Sequence, residues 1–225
     1  MESFASITSH DLKEPLRTIA GFSSFLESNL KQGNYDNMTT PIRFIKTNVK
    51  RMFTLVEDIL AYSQIDQNME RKLVPFSEIL YHVKENIQAL AVENTAELTY
   101  DLGKLTPDRI LMPAKLKIVF KNLVENGVKY NNQDKPRVHV TYARDWRGKQ
   151  IFHLKDNGIG IDEQFQEEIF KMFKRLHTKQ EYSGTGVGLA ICRKIVENLG
   201  GRLYLKHSDE NGSTFCIELE AGQED

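Results

Sequence analysis

The chain has few cysteines, no excess of either charge and no long apolar run, and each of these absences excludes something. Only Cys192 and Cys216 occur in 225 residues, both in apolar surroundings. A disulfide framework is excluded as the organising principle, and reduced core thiols in a cytosolic setting are expected. Against 30 Lys and Arg stand 31 Asp and Glu, a formal net charge of -1. That balance gives no global attraction to nucleic acid or to an anionic membrane. Nowhere is there an apolar run of the ~18 residues that a membrane span requires, and no signal-peptide pattern is present. What remains, at 40% hydrophobic and 27% charged, is ordinary globular material able to bury a core. Its length suits one large or two modest domains. The chain opens almost at once into helical sequence, which suggests the C-terminal part of something longer.

From about Phe4 to Leu30 the spacing predicts a helix. Leu12, Leu16, Ile19, Ser23, Leu26 and Leu30 fall at alternating steps of four and three, a coiled-coil-like seam interrupted by one small residue. Gly33 and Asn34 end it. A second helix is predicted from about Pro41, a proline in the first turn, to Ser63. Its seam is Ile42, Ile45, Val49, Met52, Val56, Ile59 and Ser63. Two such helices joined by a short polar loop make an antiparallel hairpin that cannot cover its own seam. Two copies pairing into a four-helix bundle would cover it, so a homodimer is expected.

The polar stretch Gln64–Lys72 reads as a linker. Beyond it the elements are mixed: a helix from Ser77 to about Glu93, strands at Glu97–Leu102 and Arg109–Met112, and a helix from Pro113 through Tyr130. Strands at Arg137–Arg144 and Gln150–Asp156 follow, then a short helix at Asp162–Phe170. A polar stretch, Lys174–Ser183, precedes a helix at Val187–Leu199 and two last strands, Arg202–His207 and Thr214–Glu220. Strands interleaved with helices, with some strands adjacent in sequence, predict a mixed sheet covered by helices on one face. The fold class expected is α+β in two domains: residues 1–68 as the helical hairpin and 72–222 as an α/β sandwich.

Several stretches carry chemistry. In Gly184-Thr185-Gly186-Val187-Gly188 three glycines alternate just before a helix, leaving free N–H groups and a positive dipole end for a phosphate chain. His10 lies two positions before the first-helix seam, on its outer face, with Asp11 beside it. A neighbouring carboxylate can hold Nδ1–H and sharpen Nε2 as a nucleophile. Pro15 removes the donor for the Asp11 carbonyl one turn later. Asn122, Asn126, Lys129 and Tyr130 share one helical stripe, with amide oxygens suited to a metal-bound polyphosphate and a ring suited to a base. Asp156-Asn157-Gly158-Ile159-Gly160 ends an apolar strand, and a carboxylate there can accept from an exocyclic amine. Phe170 and Phe173 flank a segment in which Arg175 could reach a terminal phosphate. Taken singly, these are also an ordinary turn, a solvated helix face, a surface histidine and two core phenylalanines.

Their order is what distinguishes them. A histidine box, an Asn-rich helix, Asp-x-Gly-x-Gly, Phe-x-x-Phe and Gly-x-Gly-x-Gly together resemble the sensor histidine kinases of two-component systems, over nearly the whole chain. His10-Asp11-Leu12-Lys13-Glu14-Pro15-Leu16 and Phe173-Lys174-Arg175-Leu176-His177 are most similar to the phytochrome-related subclass. The resemblance implies a dimerisation and phosphotransfer domain followed by a catalytic domain of the gyrase and chaperone ATPase type, binding ATP and Mg²⁺. By resemblance, His10 is the phosphoacceptor, Asp11 its proton acceptor and Asn126 the Mg²⁺ ligand, with Asn122 one turn earlier. Lys129 would touch phosphate, and Tyr130 would line the nucleotide. Asp156 would take the adenine amine with Gly158 and Gly160 in support. Arg175 would meet the γ-phosphate, Gly184, Gly186 and Gly188 would surround the phosphates, and Thr214 would lie near the base. The resemblance also implies a partner, an aspartate on a response-regulator receiver domain, together with an upstream sensory domain missing from this chain and a cytoplasmic setting for this portion. Many relatives carry Thr or Asn four residues after the histidine; here it is Glu14, which implies weak phosphatase activity because an ionised carboxylate donates no hydrogen bond. A plain ATPase would need a Glu in place of Asn122. A dimeric nucleotide-binding pseudokinase scaffold is the alternative from another class.

Overall fold

The computed structural model describes residues 4–35, 38–63, 65, 73–74, 76–90, 96–101, 110–111, 113–174, 176 and 185–220. Two compact units result, one of Met1–Ser63 with Ser183–Thr185, the other of Gln64–Tyr182 with Gly186–Asp225. No helix among the described residues is long and apolar enough to cross a membrane.

The first unit is a helical hairpin. Helix α1 spans Phe4–Lys31 and α2 spans Thr39–Ser63. Each helix carries an apolar stripe, and the two helices pack against each other while leaving much of those stripes exposed. Phe22 stacks on Phe44 with centroids 4.8 Å apart and planes within 5°. Pro15 sits inside α1 and is buried. Gly33, at φ +70, terminates α1, and the Asn34 N–H reaches back to the Asn29 carbonyl at 2.9 Å.

The second unit sets α3 (Phe76–Leu90), α4 (Pro113–Lys129) and α5 (Gly188–Asn198) against a five-stranded mixed sheet. Its strands are β2 (Glu97–Asp101), β4 (Arg137–Arg144), β5 (Gln150–Asp156), β6 (Arg202–Asp209) and β7 (Gly212–Leu219), in the order β2-β4-β5-β7-β6. Only the β2–β4 pairing is parallel. A separate two-stranded ladder pairs β1 (Leu73–Val74) with β3 (Ile110–Leu111). Period-two alternation buries Val138, Val140 and Tyr142 of β4, Phe152 and Leu154 of β5, and Phe215, Ile217 and Leu219 of β7 beneath the helices. Phe76, Phe120 and Phe152 form an aromatic centre with centroid separations of 4.7–5.4 Å. The opposite face is polar: Thr99 meets His139 at 2.7 Å, Lys206 meets His153 at 3.0 Å, and Tyr204 donates to Glu218 at 2.8 Å. Both cysteines are free and buried.

Two local expectations are corrected. Residues Asp162–Phe170 form no α-helix but two 3₁₀ turns, Glu163–Phe165 and Glu168–Phe170, closed by i→i+3 bonds from Phe165 N–H to Asp162 and Lys171 N–H to Glu168. Asp162 caps the first turn by accepting the Gln164 N–H at 3.0 Å, and Arg193 braces the second, lying 4.0 Å over the Phe170 ring and pairing with Glu167 at 3.1 Å. The last hairpin is also tighter than predicted. Asp209 Oδ1 holds the Asn211 N–H at 2.8 Å, so pairing runs on to Asp209 and Gly212.

Candidate active site

The stripe Phe152–Leu154–Asp156 explains the character of this site. Alternation points all three toward the helices, so the strand that supplies core residues ends in a carboxylate that is nine-tenths buried. Burial raises the Asp156 pKa above its ordinary value, and backbone donors, two of them from other residues, oppose the rise. Those two are Gly158 N–H at 2.9 Å and Ser213 N–H at 3.0 Å, both to Oδ1. Oδ2 makes no hydrogen bond with another described residue. One oxygen is thus fixed by the backbone and the other is left to accept from a ligand.

Helix α4 is brought against this carboxylate by Gly127. A Cβ there would stand 2.8 Å from Val138 Cγ2 and 2.9 Å from Asp156 Cβ, so only glycine lets the helix approach. The Tyr130 carbonyl then takes the Ile159 N–H at 3.1 Å, joining the end of α4 to the turn after β5. Asn157 locks the same corner: its Oδ1 receives Asn131 Nδ2 at 2.8 Å and Arg137 N–H at 2.7 Å, and its Nδ2 donates to the Lys135 carbonyl at 3.1 Å. Gly160 adopts φ +71 against the Asp209 carbonyl, with which any Cβ would collide. Gly160→Ala is expected to cost about 3 kcal/mol from backbone strain and overpacking, or roughly 10 °C in melting temperature for a domain of this size. An unchanged thermal melt would show instead that the turn relaxes freely.

The polar stripe of α4 faces the start of α5. Asn122 spends its Nδ2 on the Ile118 carbonyl at 3.0 Å, and its Oδ1 lies 2.7 Å from where a Gly188 Cβ would be. Gly188 is therefore required for α5 to begin beside Asn122. Asn126, half-buried one turn further on, makes no side-chain hydrogen bond with a described residue. Lys129 Nζ sits 3.4 Å from the Tyr130 hydroxyl and 4.7 Å over its ring. Glu125, between the two asparagines, has its pKa raised by burial, with Lys121 at 3.7 Å and Lys129 opposing. Gly186, at φ +77, accepts the Phe173 N–H at 2.9 Å, and Phe173 itself takes φ +62. Phe170 is buried against Phe215, with centroids 6.3 Å apart.

The structure thus assembles Asn122, Asn126, Lys129, Tyr130, Asp156, Gly158, Gly160, Gly186 and Gly188 around the junction of α4, β5 and α5. Thr214 does not join them. Strand alternation turns it to the polar face opposite Lys155, and Ser213 takes the place beside Asp156. Ser213 is further fixed by Ser208, hydroxyl to hydroxyl at 2.9 Å. Arg175 and Gly184 lie outside the described residues. His10 and Asp11 belong to α1, and their side chains lie outside what is described. Sequence reasoning also missed Gly127, Ser213 and Asn157; a glycine inside an otherwise regular helix was the one available signal, for Gly127. A separate groove of about 630 Å³ runs from Gly160 past Phe165 to Lys206 and Glu210. It shares Gly160 with the site described here but includes neither Asp156 nor any residue of α4.

Residues 112–223 match the family described as histidine kinase-, DNA gyrase B-, and HSP90-like ATPase. Residues 1–68 match the His Kinase A (phospho-acceptor) domain. The phytochrome-like protein Cph1 of Synechocystis sp. is 36% identical over 227 residues, which cover 99% of this chain and 29% of that protein. The chain therefore spans under a third of the length of that relative. Among solved structures, the histidine kinase AdeS of Acinetobacter baumannii aligns with a TM-score of 0.71 at 18% identity, covering 95% of this chain and 98% of that one. The histidine kinase ThkA, solved in complex with the response regulator protein TrrA, gives 0.73 at 23% identity, covering 96% and 60%. At these identities the two structures speak for the fold alone.

Proposed function

The chain belongs to the two-component sensor histidine kinases, in their phytochrome-related branch, and on that premise we propose that it transfers the γ-phosphoryl of ATP to His10 and from there to an aspartate of a response-regulator receiver domain. The observation that carries the reading is the buried Asp156 carboxylate. Its Oδ1 is fixed by two N–H groups and its Oδ2 remains available to an adenine amine, at the foot of a helix bearing Asn122 and Asn126.

Asp156 selects the base, since a carboxylate in place of an amide rejects a ligand lacking the amine. Tyr130 lines the base, Lys129 meets the phosphates, and Gly186 and Gly188 let backbone N–H groups approach them. Arg175, Gly184 and Asp11 keep the roles that the resemblance implies. The residues fit Mg²⁺: Asn126 offers an amide that makes no hydrogen bond with a described residue, on the same face as Asn122. When bound there, Mg²⁺ would offset negative charge on the phosphates. In the transfer, the Nε2 lone pair of His10 forms the P–N bond as the P–O bond to ADP breaks and ADP leaves with that electron pair. Asp11 orients the imidazole and takes up its proton.

Incubation with γ-labelled ATP and Mg²⁺ tests the reading. Label that is lost in acid and kept in base is expected. ATP binding without label would overturn the kinase reading in favour of the scaffold alternative, which no present observation favours.

The half-exposed seam supports pairing of two chains. In one chain alone Leu16 and Leu30 are 49% and 53% exposed, and Val49 and Val56 are 38% and 43%. A second hairpin would cover these residues in a four-helix bundle. The double variant Val49→Lys/Val56→Lys is expected to weaken the dimer about a hundredfold or more, through lost apolar burial and two buried charges. Light scattering across a dilution series would read this, and an unchanged dimer would place the interface elsewhere.

A further inference from the structure

The two N–H groups that hold Asp156 Oδ1 come from segments far apart in the chain, the turn after β5 and the start of β7, and one hydroxyl joins them. Asp209 tightens the β6–β7 turn by holding the Asn211 N–H at 2.8 Å, so Ser208 and Ser213 pair directly across the hairpin. Ser208 Oγ receives the Ile161 N–H at 2.7 Å, lies 2.9 Å from Ser213 Oγ and stands 3.3 Å from the Gly212 carbonyl. A hydroxyl carries one proton and two lone pairs. An N–H can only donate and a carbonyl can only accept, so a single arrangement satisfies all three contacts. In it the Ser208 proton goes to Gly212, and Ser213 spends its own proton on Ser208. Ser208 is then saturated, and the Ser213 hydroxyl, on a residue only 4% exposed, donates to Ser208 rather than toward Asp156.

Ser213 already gives its backbone N–H to Asp156 Oδ1 at 3.0 Å. A serine so placed can bring its hydroxyl to the same carboxylate by rotating about χ1. A hydroxyl donating there would compete with a ligand amine, which would have to displace it before binding. We propose that Ser208 is a positioning residue for base recognition: it engages the Ser213 hydroxyl proton and so keeps the Asp156 carboxylate open to the exocyclic amine of a purine. This rests on the nucleotide-binding reading above and deepens it. Ser208 acts through Ser213 and Asp156 and not on the ligand, because its proton and both lone pairs are already engaged.

The test compares two ligands on the whole chain: ATP, and purine riboside triphosphate, which carries hydrogen in place of the exocyclic amine. Both are titrated by calorimetry into wild type, Ser208→Ala, Ser213→Ala and the pair, with Ser208→Thr as a hydroxyl-retaining control. A circular-dichroism melt accompanies each variant. Ser208→Ala is expected to weaken ATP about fivefold, the scale of one hydrogen bond, and purine riboside triphosphate less than about twofold. In the Ser213→Ala background the same substitution costs no ATP affinity, because no hydroxyl is left to take the carboxylate. Ser208→Thr restores most of the ATP affinity. Equal weakening of both ligands, or the same ATP loss in the Ser213→Ala background, would reduce Ser208 to a structural residue and overturn the inference. Unchanged ATP binding by Ser208→Ala would overturn it as well. Wild-type chain that binds the two triphosphates equally would instead remove the reading of Asp156 as the base-selecting group, and this inference with it.

Discussion

His10→Gln is expected to reduce acid-labile label to background, a loss of about 10⁴-fold or more, with nucleotide affinity and melting temperature unchanged. A glutamine amide nitrogen has no available lone pair, so it cannot form the P–N bond. Glutamine is also at least as good a helix former as histidine, so α1 loses nothing. The residues around Asp156 belong to the other compact unit, so nucleotide binding there is expected to persist. Most of the remaining histidines are already engaged elsewhere in structural contacts. His139 meets Thr99, His153 meets Lys206, and His207 lies 3.2 Å from Asp209. His82 stands between Glu78 and Glu85 at 4.0 and 3.9 Å. Label that survives the substitution would mean that another residue is the nucleophile.

Asp156→Asn should produce the opposite separation. Nucleotide affinity is expected to fall about a hundredfold or more, because an amide turned outward sets a donor against the donor amine of adenine. Folding should survive, since asparagine Oδ1 can still accept the Gly158 and Ser213 N–H groups at 2.9 and 3.0 Å. Stability should hold or rise at neutral pH. Burial raises the Asp156 pKa, so between the ordinary carboxylate pKa and that raised value the folded state binds more protons than the unfolded state. The contribution of this residue to stability is therefore largest in acid and is lost as pH rises through the folded pKa; asparagine has no such dependence. Melts from acid to neutral pH, paired with nucleotide titration, would check both parts. A variant that unfolds, or one that binds nucleotide normally, would reassign Asp156 to structure.

These variants also separate what is legible locally from what is not. Helix α1 and α2 seams at steps of three and four announce the hairpin, and alternation along β4 and β5 announces strands with one buried face. Glycines before α5, the Asn122–Tyr130 stripe and Asp156 at a strand end are likewise visible, because each is a periodicity or a turn chemistry confined to a few neighbours. Near the last hairpin this local view fails by one residue. Thr214 and Ser213 are adjacent and both polar, and only the pairing of β7 with β5 decides which one faces Asp156. The second 3₁₀ turn at Glu168–Phe170 is braced by Arg193, which is distant in sequence from it.

By itself, then, the sequence determined the two-part architecture, the order of the functional boxes and the residue types available to nucleotide and phosphoryl group. Tertiary structure alone decided that Gly127 admits α4 to Asp156 and that Asn157 ties three segments into one corner. It also decided that Ile161, Gly212 and Ser213 meet at the one hydroxyl of Ser208. The physical reason is the same throughout: hydrogen bonds, desolvation and close packing act between groups brought together across long stretches of chain, and local periodicity carries no record of which distant partner arrives.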